Sequence, residues 1–249
     1  MNGLGADNMS IPKFFIDQAQ FSVDDVVVLP ADEHRHAMLS RRLTDKSEVI
    51  LLNGQGVIAS GHFIEMTRKL SKILIEKVER NKPTKAKIII ASAIPKGDRQ
   101  KVMLDMLTQI GVSEFIPLEC EFSSVKINDK LMQKWQRIVQ EGCKQSGNPF
   151  CLRINPPISL IELVNSNFWR NSLCFRTEQF AETDINEDTN YDNSMNLLAV
   201  IGPEGGLSED EKNLLDTANA RKLSFSKYIL RTETAAVAAS IRLLEFLDH

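Results

Sequence analysis

The sequence predicts an α/β chain in two parts: a small, mostly antiparallel β domain, then a larger domain built on a mostly parallel sheet. Three observations carry this expectation. Short β-rich runs occupy residues 14–78, strand-like runs alternate with amphipathic helices from residue 87 onward, and a charged hinge at 79–85, containing Pro83, separates the two rhythms. The expected boundary therefore falls between residues 82 and 83.

Residues 1 to 10 are small and polar and read as a loose leader. The runs 14–16, 26–29 and 49–52 are β-rich, Asn53-Gly54-Gln55-Gly56 signals a hairpin into 57–64, and 73–78 completes the set. Residues 34–43 have helical spacing at Leu39 and Leu43 and present Arg35, Arg41 and Arg42. Beyond the hinge, 87–91 is a buried-type strand. A helix over 98–110 aligns Met103, Leu107 and Ile110 and stops at Gly111, and 114–118 is the next strand. Residues 129–146 form a long amphipathic helix that buries Leu131, Trp135, Ile138, Val139 and Cys143. Strands at 173–175, 197–201 and 222–225 alternate with a helix opening near Ser208 and a final helix over 235–247. In a sheet of this kind, ligand loops lie at the carboxyl ends of the strands.

Charge narrows the partners. The 249 residues carry a net charge of −3, which by itself argues against nucleic acid. Six acids (Glu178, Glu182, Asp184, Glu187, Asp188 and Asp192) with no base fall within 178–195, however, and without them the remainder is net positive. That acidic stretch is expected to be a surface loop or partly disordered. From Arg80 to Lys101 seven bases face one acid, a basic stripe that fits either a solvated surface or a phosphate-binding one. The four cysteines form no C-x-x-C pair and have no histidine at ligand spacing, so no metal is expected and reduced thiols are the simpler reading. No stretch is long and apolar enough for a membrane span, and the amino-terminal residues lack a signal-peptide pattern, which makes the cytoplasm the default.

The chemistry concentrates in the last fifty residues. A hydrophobic run, 197–201, empties into Gly202-Pro203-Glu204-Gly205-Gly206, where the missing Cβ atoms let the backbone approach a ligand and adopt positive φ. The following helix opens with the capping box Ser208-x-x-Glu211. One strand later a second loop, 228–234, opens the final helix. The two loops read as two walls of one pocket.

Ile-Gly-Pro-Glu-Gly-Gly-Leu-Ser-x-x-Glu at 201–211, followed by Ile-Leu-Arg-Thr-Glu-Thr-Ala at 229–235, resembles the 16S ribosomal RNA uridine-N3 methyltransferases of the SPOUT superfamily. The resemblance implies a PUA-like, RNA-binding β-barrel over 1–82 and a SPOUT methyltransferase domain over 83–249 whose C-terminal segment is threaded into a trefoil knot. Periodicity alone points instead to an unknotted doubly wound sheet. The resemblance also implies S-adenosyl-L-methionine as cofactor, held by Ile201, Gly202, Pro203, Glu204, Gly205, Gly206, Phe225, Ile229, Leu230, Thr234 and Ala235. It implies 16S rRNA or the 30S subunit as partner, and a homodimer with the C-terminal helix at its interface.

Uridine N3 must lose a proton before it attacks a methyl group, and the negative charge then spreads to the flanking carbonyl oxygens. Arg231 is the candidate to stabilise that charge, and Glu233 to accept the proton or to position Arg231. Arg35, Arg41, Arg42, Lys96 and Arg99 are the candidate phosphate contacts. The chain departs from the family where Met106, Gln109, Phe122, Asn148 and Tyr228 replace charged residues. This keeps a noncatalytic or retargeted RNA-binding member of the same fold open as an alternative. A nucleotide-binding enzyme of ordinary topology is disfavoured, since neither G-x-G-x-x-G nor G-x-x-x-x-G-K-[ST] stands at a strand–helix junction.

Overall fold

The structure is a computed structural model that describes residues 11–39, 43–178 and 195–247. The acidic stretch at 179–194, the leader at 1–10, and Arg41 and Arg42 lie outside the described residues. The chain forms two compact units.

The first unit holds β1 (Lys13–Phe15), β2 (Val26–Val28), α1 (Ala31–Leu39), β3 (Glu48–Leu52), β4 (Val57–Met66) and β5 (Ser71–Arg80). Its five strands pair in the order β1-β3-β4-β5-β2; β1 runs parallel to β3 and the other pairs are antiparallel. Alternation sorts the faces: Val57, Ala59 and Phe63 of β4 and Ile73 and Ile75 of β5 bury against Phe14, Phe21 and Leu51. The expected hairpin forms because the Asn53 side-chain oxygen accepts from the Gln55 and Val57 N–H groups, while Gly54 and Gly56 take positive φ. Helix α1 begins at Ala31, three residues before the spacing suggests, because Pro30 pre-sets the first turn and its carbonyl accepts from His34 N–H.

This unit also takes in Gln140–Cys151, which the sequence reading places in the second domain. A buried ion pair is one of the contacts that tie the segment there, beside the backbone hydrogen bonds from Gly56 N–H to the Pro149 carbonyl and from Cys151 N–H to the Gly54 carbonyl. Lys144 is 7% exposed, and its Nζ lies 2.7 Å from Glu33 Oε1 and 2.7 Å from Glu141 Oε1. Periodicity shows that a helix has an apolar stripe; it does not show which element the end of that stripe meets.

The second unit contains β6 (Ile88–Ala93), α2 (Arg99–Ile110), β7 (Glu114–Glu119), most of α3 (Asp129–Ser146), β8 (Arg153–Ile154), β9 (Ile158–Ser159), α4 (Leu160–Asn165) and α5 (Asn167–Arg170). It continues with β10 (Ser172–Thr177), β11 (Asn196–Ile201), α6 (Glu209–Thr217), β12 (Arg221–Leu223) and α7 (Thr232–Leu247). The sheet runs β12-β10-β11-β6-β7-β8, β9 also pairs with β7, and every pairing is parallel.

Strands β6 and β11 are buried along both faces, which is why they read as continuous apolar runs. Ile89, Ala91, Leu198 and Val200 pack with Leu160, Leu163, Trp169 and Leu215 from α4, α5 and α6. Helix α7 packs on β6, β11 and α2. Each such leucine contributes roughly 1.5–3 kcal/mol by leaving water. Gly111 ends α2 in the left-handed conformation, its N–H donating to the Leu107 and Thr108 carbonyls. In α3, Trp135 is fully buried, donates to Gln100 Oε1 at 2.6 Å and meets the Phe115 ring edge-on.

Candidate active site

The carboxyl ends of β10 and β11, the chain after β12 and the first turn of α7 enclose a cavity of about 420 Å³. One wall is Ile201, Gly202, Pro203, Glu204, Gly206 and Leu207, and the facing wall is Phe225, Ser226, Tyr228, Ile229 and Leu230. Thr232 and Ala235 of α7, together with Arg176, Thr177, Glu178 and Lys212, complete the lining. The two loops singled out in the sequence therefore face one another.

The glycine loop is shaped by a tight turn in which Gly206 N–H donates to the Pro203 carbonyl at 2.8 Å. The three glycines have different roles. Gly206 alone of them takes positive φ, at 79°. A Cβ on Gly202 would sit 3.0 Å from Leu207 Cγ, and a Cβ on Gly205 would sit 3.3 Å from Phe122 Cβ. Gly205 thus abuts Phe122 and is not among the cavity-lining residues. Thr234, exposed on the outer side of the first turn of α7, is not among them either. The capping box forms as expected, with Glu211 N–H donating to Ser208 Oγ and Ser208 N–H to Glu211 Oε2. Glu211 Oε1 also accepts from Glu121 N–H, tying the loop after β7 to α6. Thr232 Oγ1 donates to the Gly202 carbonyl at 3.3 Å, joining the start of α7 to the glycine loop.

Helix α7 begins at Thr232, three residues earlier than its apolar run suggests, so Thr232, Glu233 and Thr234 form its first turn. A carboxylate is favoured there by the helix dipole. Glu233 Oε2 is sealed from solvent with no hydrogen-bond partner. Arg231 is exposed and does not line the cavity, and no ion pair joins it to Glu233 among the described residues. Arg99 forms an ion pair with Glu204 of the glycine loop, and its Nε donates to the Lys96 carbonyl at 3.4 Å. Lys96 and, in the first unit, Arg35 are exposed.

Arg176 was not singled out in the sequence. It is 4% exposed and grips Asp216 with two hydrogen bonds, Nε to Oδ1 at 2.7 Å and Nη2 to Oδ2 at 3.2 Å. Its Nη1 lies 3.1 Å from Glu178 Oε2, and Lys222 Nζ lies 3.5 Å from the same oxygen. A signal existed: Arg176 and Thr177 are the carboxyl end of β10, the strand beside β11, and a parallel sheet places its ligands at such ends. Among the described residues, no group of three or more His, Cys, Asp or Glu side chains is placed to hold a metal ion.

Fold and cavity together define an α/β domain that receives a small molecule, through backbone and apolar side chains, at the carboxyl edge of a parallel sheet. An RNA methyltransferase domain matches residues 81–244. The ribosomal RNA small subunit methyltransferase E of Rickettsia conorii is 30% identical, over 88% of this chain and 90% of its own. The protein of that name from Bacillus subtilis is 27% identical over 91% and 93%. Among solved structures, a methyltransferase from Legionella pneumophila with bound cofactor SAM superposes with a TM-score of 0.83 at 25% identity, covering 94% of this chain and 97% of that one. The methyltransferase E of Neisseria gonorrhoeae, bound to S-adenosyl methionine, shares the fold at a TM-score of 0.84 and 23% identity, over 94% and 97%. The chain belongs to the RNA methyltransferase family, among the relatives of ribosomal RNA small subunit methyltransferase E, and it is a methyltransferase.

Proposed function

We propose that this methyltransferase uses S-adenosyl-L-methionine to methylate N3 of a uridine in 16S ribosomal RNA, acting on the 30S subunit. The observation that carries the reading is the meeting of the two motif loops, 201–206 and 225–230, across one cavity. The cavity fits the cofactor: Gly206 exposes backbone through its left-handed turn, and Ile201, Phe225, Leu230 and Ala235 offer apolar walls for an adenine. Pro203, Glu204 and Ile229 border the same space. Thr234 and Gly205, expected contacts, stand outside that lining. When bound, the sulfonium supplies an activated methyl group for in-line displacement.

The chain's own groups then align the uridine and manage its N3 proton. Arg231 stabilises the charge that develops on the uracil carbonyl oxygens. Glu233, one of whose carboxylate oxygens has no hydrogen-bond partner, accepts the proton or positions Arg231. Arg35, Arg41, Arg42 and Lys96 contact phosphates. Arg99 has a second task, since its pairing with Glu204 braces the glycine loop.

The same reading includes a PUA-like barrel, a trefoil knot and a cytoplasmic location. It also includes a homodimer through α7, supported by the exposed apolar side chains Val102 and Met106 on α2 and Ile241 on the packed neighbour α7. One observation favours a retargeted variant of this activity: Phe122 and Tyr228 replace family arginines and stand 49% and 68% exposed. Mass spectrometry of 16S rRNA from cells lacking this gene separates the two. Loss of one N3-methyluridine supports the proposal, and loss of a different methylated nucleoside supports retargeting.

A further inference from the structure

Two of the four cysteines face each other. Cys143, on the last turns of α3, and Cys151, five residues after that helix ends, place their Sγ atoms 2.8 Å apart. Neither is in a disulfide. The contact is held from both sides. Cys143 Sγ points to the Phe150 carbonyl at 3.8 Å. Cys151 N–H donates to the Gly54 carbonyl at 2.9 Å, which fastens the second cysteine to the β3–β4 turn. Gly54 makes room for it, because a Cβ at that position would lie 2.8 Å from Cys151 Sγ. The bridge between Gln55 and Phe150 extends the same attachment.

We propose that Cys143 and Cys151 form a reversible redox modification site, closed to a disulfide by exchange with a small-molecule disulfide such as oxidised glutathione. Cys151 is half-buried and Cys143 fully buried, which sets the order of events. The Cys151 thiol loses its proton and attacks one sulfur of glutathione disulfide, forming a mixed disulfide and expelling one glutathione thiolate. The Cys143 thiol then loses its proton and attacks Cys151 Sγ, expelling the second thiolate. Two electrons pass from the protein to the small disulfide, which leaves as two thiols carrying the two protons. The product staples the end of α3 to the segment that rests on the hairpin turn. Cys120 and Cys174 are both buried, so neither offers a half-exposed thiol to start the exchange as Cys151 does, and burial pushes both thiols up to about 12, with the Glu211 charge adding to the effect at Cys120.

Trypsin gives a direct readout, because Lys144 lies between the two cysteines. The full chain is incubated with oxidised glutathione, blocked with an alkylating agent and digested without reduction. The expected product is a cross-linked pair of peptides, 138–144 joined to 145–153, with an intact mass lower by two hydrogens that dithiothreitol restores. Cys143→Ser is expected to stop the reaction at a glutathione adduct on Cys151, and Cys151→Ser to remove the cross-link. A wild-type protein that accumulates the Cys151 adduct without the cross-link, or that reacts at neither cysteine, overturns the proposal.

Discussion

At the residue scale, the site depends on which backbone positions lack a side chain and which charged atoms lack a partner. Gly206 takes a left-handed turn at the cavity wall, whereas Gly205 abuts Phe122. Gly206→Val is therefore expected to lower S-adenosylmethionine affinity at least tenfold with the chain still folded, since a β-branched residue resists positive φ. Gly205→Ala is expected to leave affinity nearly unchanged; calorimetric titration of both variants checks the contrast. Arg231→Ala should lower kcat by about 10²–10³-fold, the usual loss of a group acting on developing charge, with little change in cofactor affinity. Comparable losses in both quantities would make Arg231 a binding residue instead. The motif glycines were legible in the sequence. Which of them takes positive φ was not, because a glycine advertises freedom and only its neighbours decide how it is used.

At the element scale, α3 shows how a buried charge fastens the last turn of a helix. Burial opposes the charge on Lys144, but hydrogen bonds to Glu141 and Glu33 outweigh it and hold its pKa above the ordinary 10.5. The raised value means that this stabilisation is fully present at neutral pH and fades as pH climbs through the folded-state pKa. The stability gap between the wild type and Lys144→Met should therefore hold through neutral pH and narrow only above pH 10.5, as read by urea denaturation at several pH values. Glu33→Ala, which leaves the buried lysine with Glu141 as its remaining carboxylate, should cost about 1–3 kcal/mol. Most elements were legible from periodicity. The early start of α7 was not, because its first turn is polar and the apolar stripe begins only at Ala235. Arg176 was missed because a charged residue at a strand end reads as solvated until Asp216 is seen across from it.

At the scale of the whole molecule, the parallel sheet was legible because β6 and β11 are apolar on both faces. A knot leaves no mark in periodicity, so only the motif resemblance raised it. The departures at 122, 148 and 228 also belong to this scale. Phe122 and Tyr228 are exposed rather than packed away, so apolar repacking within this chain does not account for them. Restoring arginine at 122, 148 and 228 together should tighten RNA binding and steepen the dependence of log K on log salt by about 0.7 for each new phosphate contact. An unchanged slope would show that these positions do not meet phosphate. The central claim is methyl transfer to uridine N3, and it is tested most directly by giving the purified chain methyl-deuterated S-adenosylmethionine and 30S subunits from cells lacking its gene. The account predicts that nuclease digestion and mass spectrometry will find the label in N3-methyluridine alone; label in another nucleoside, or in none, would contradict it.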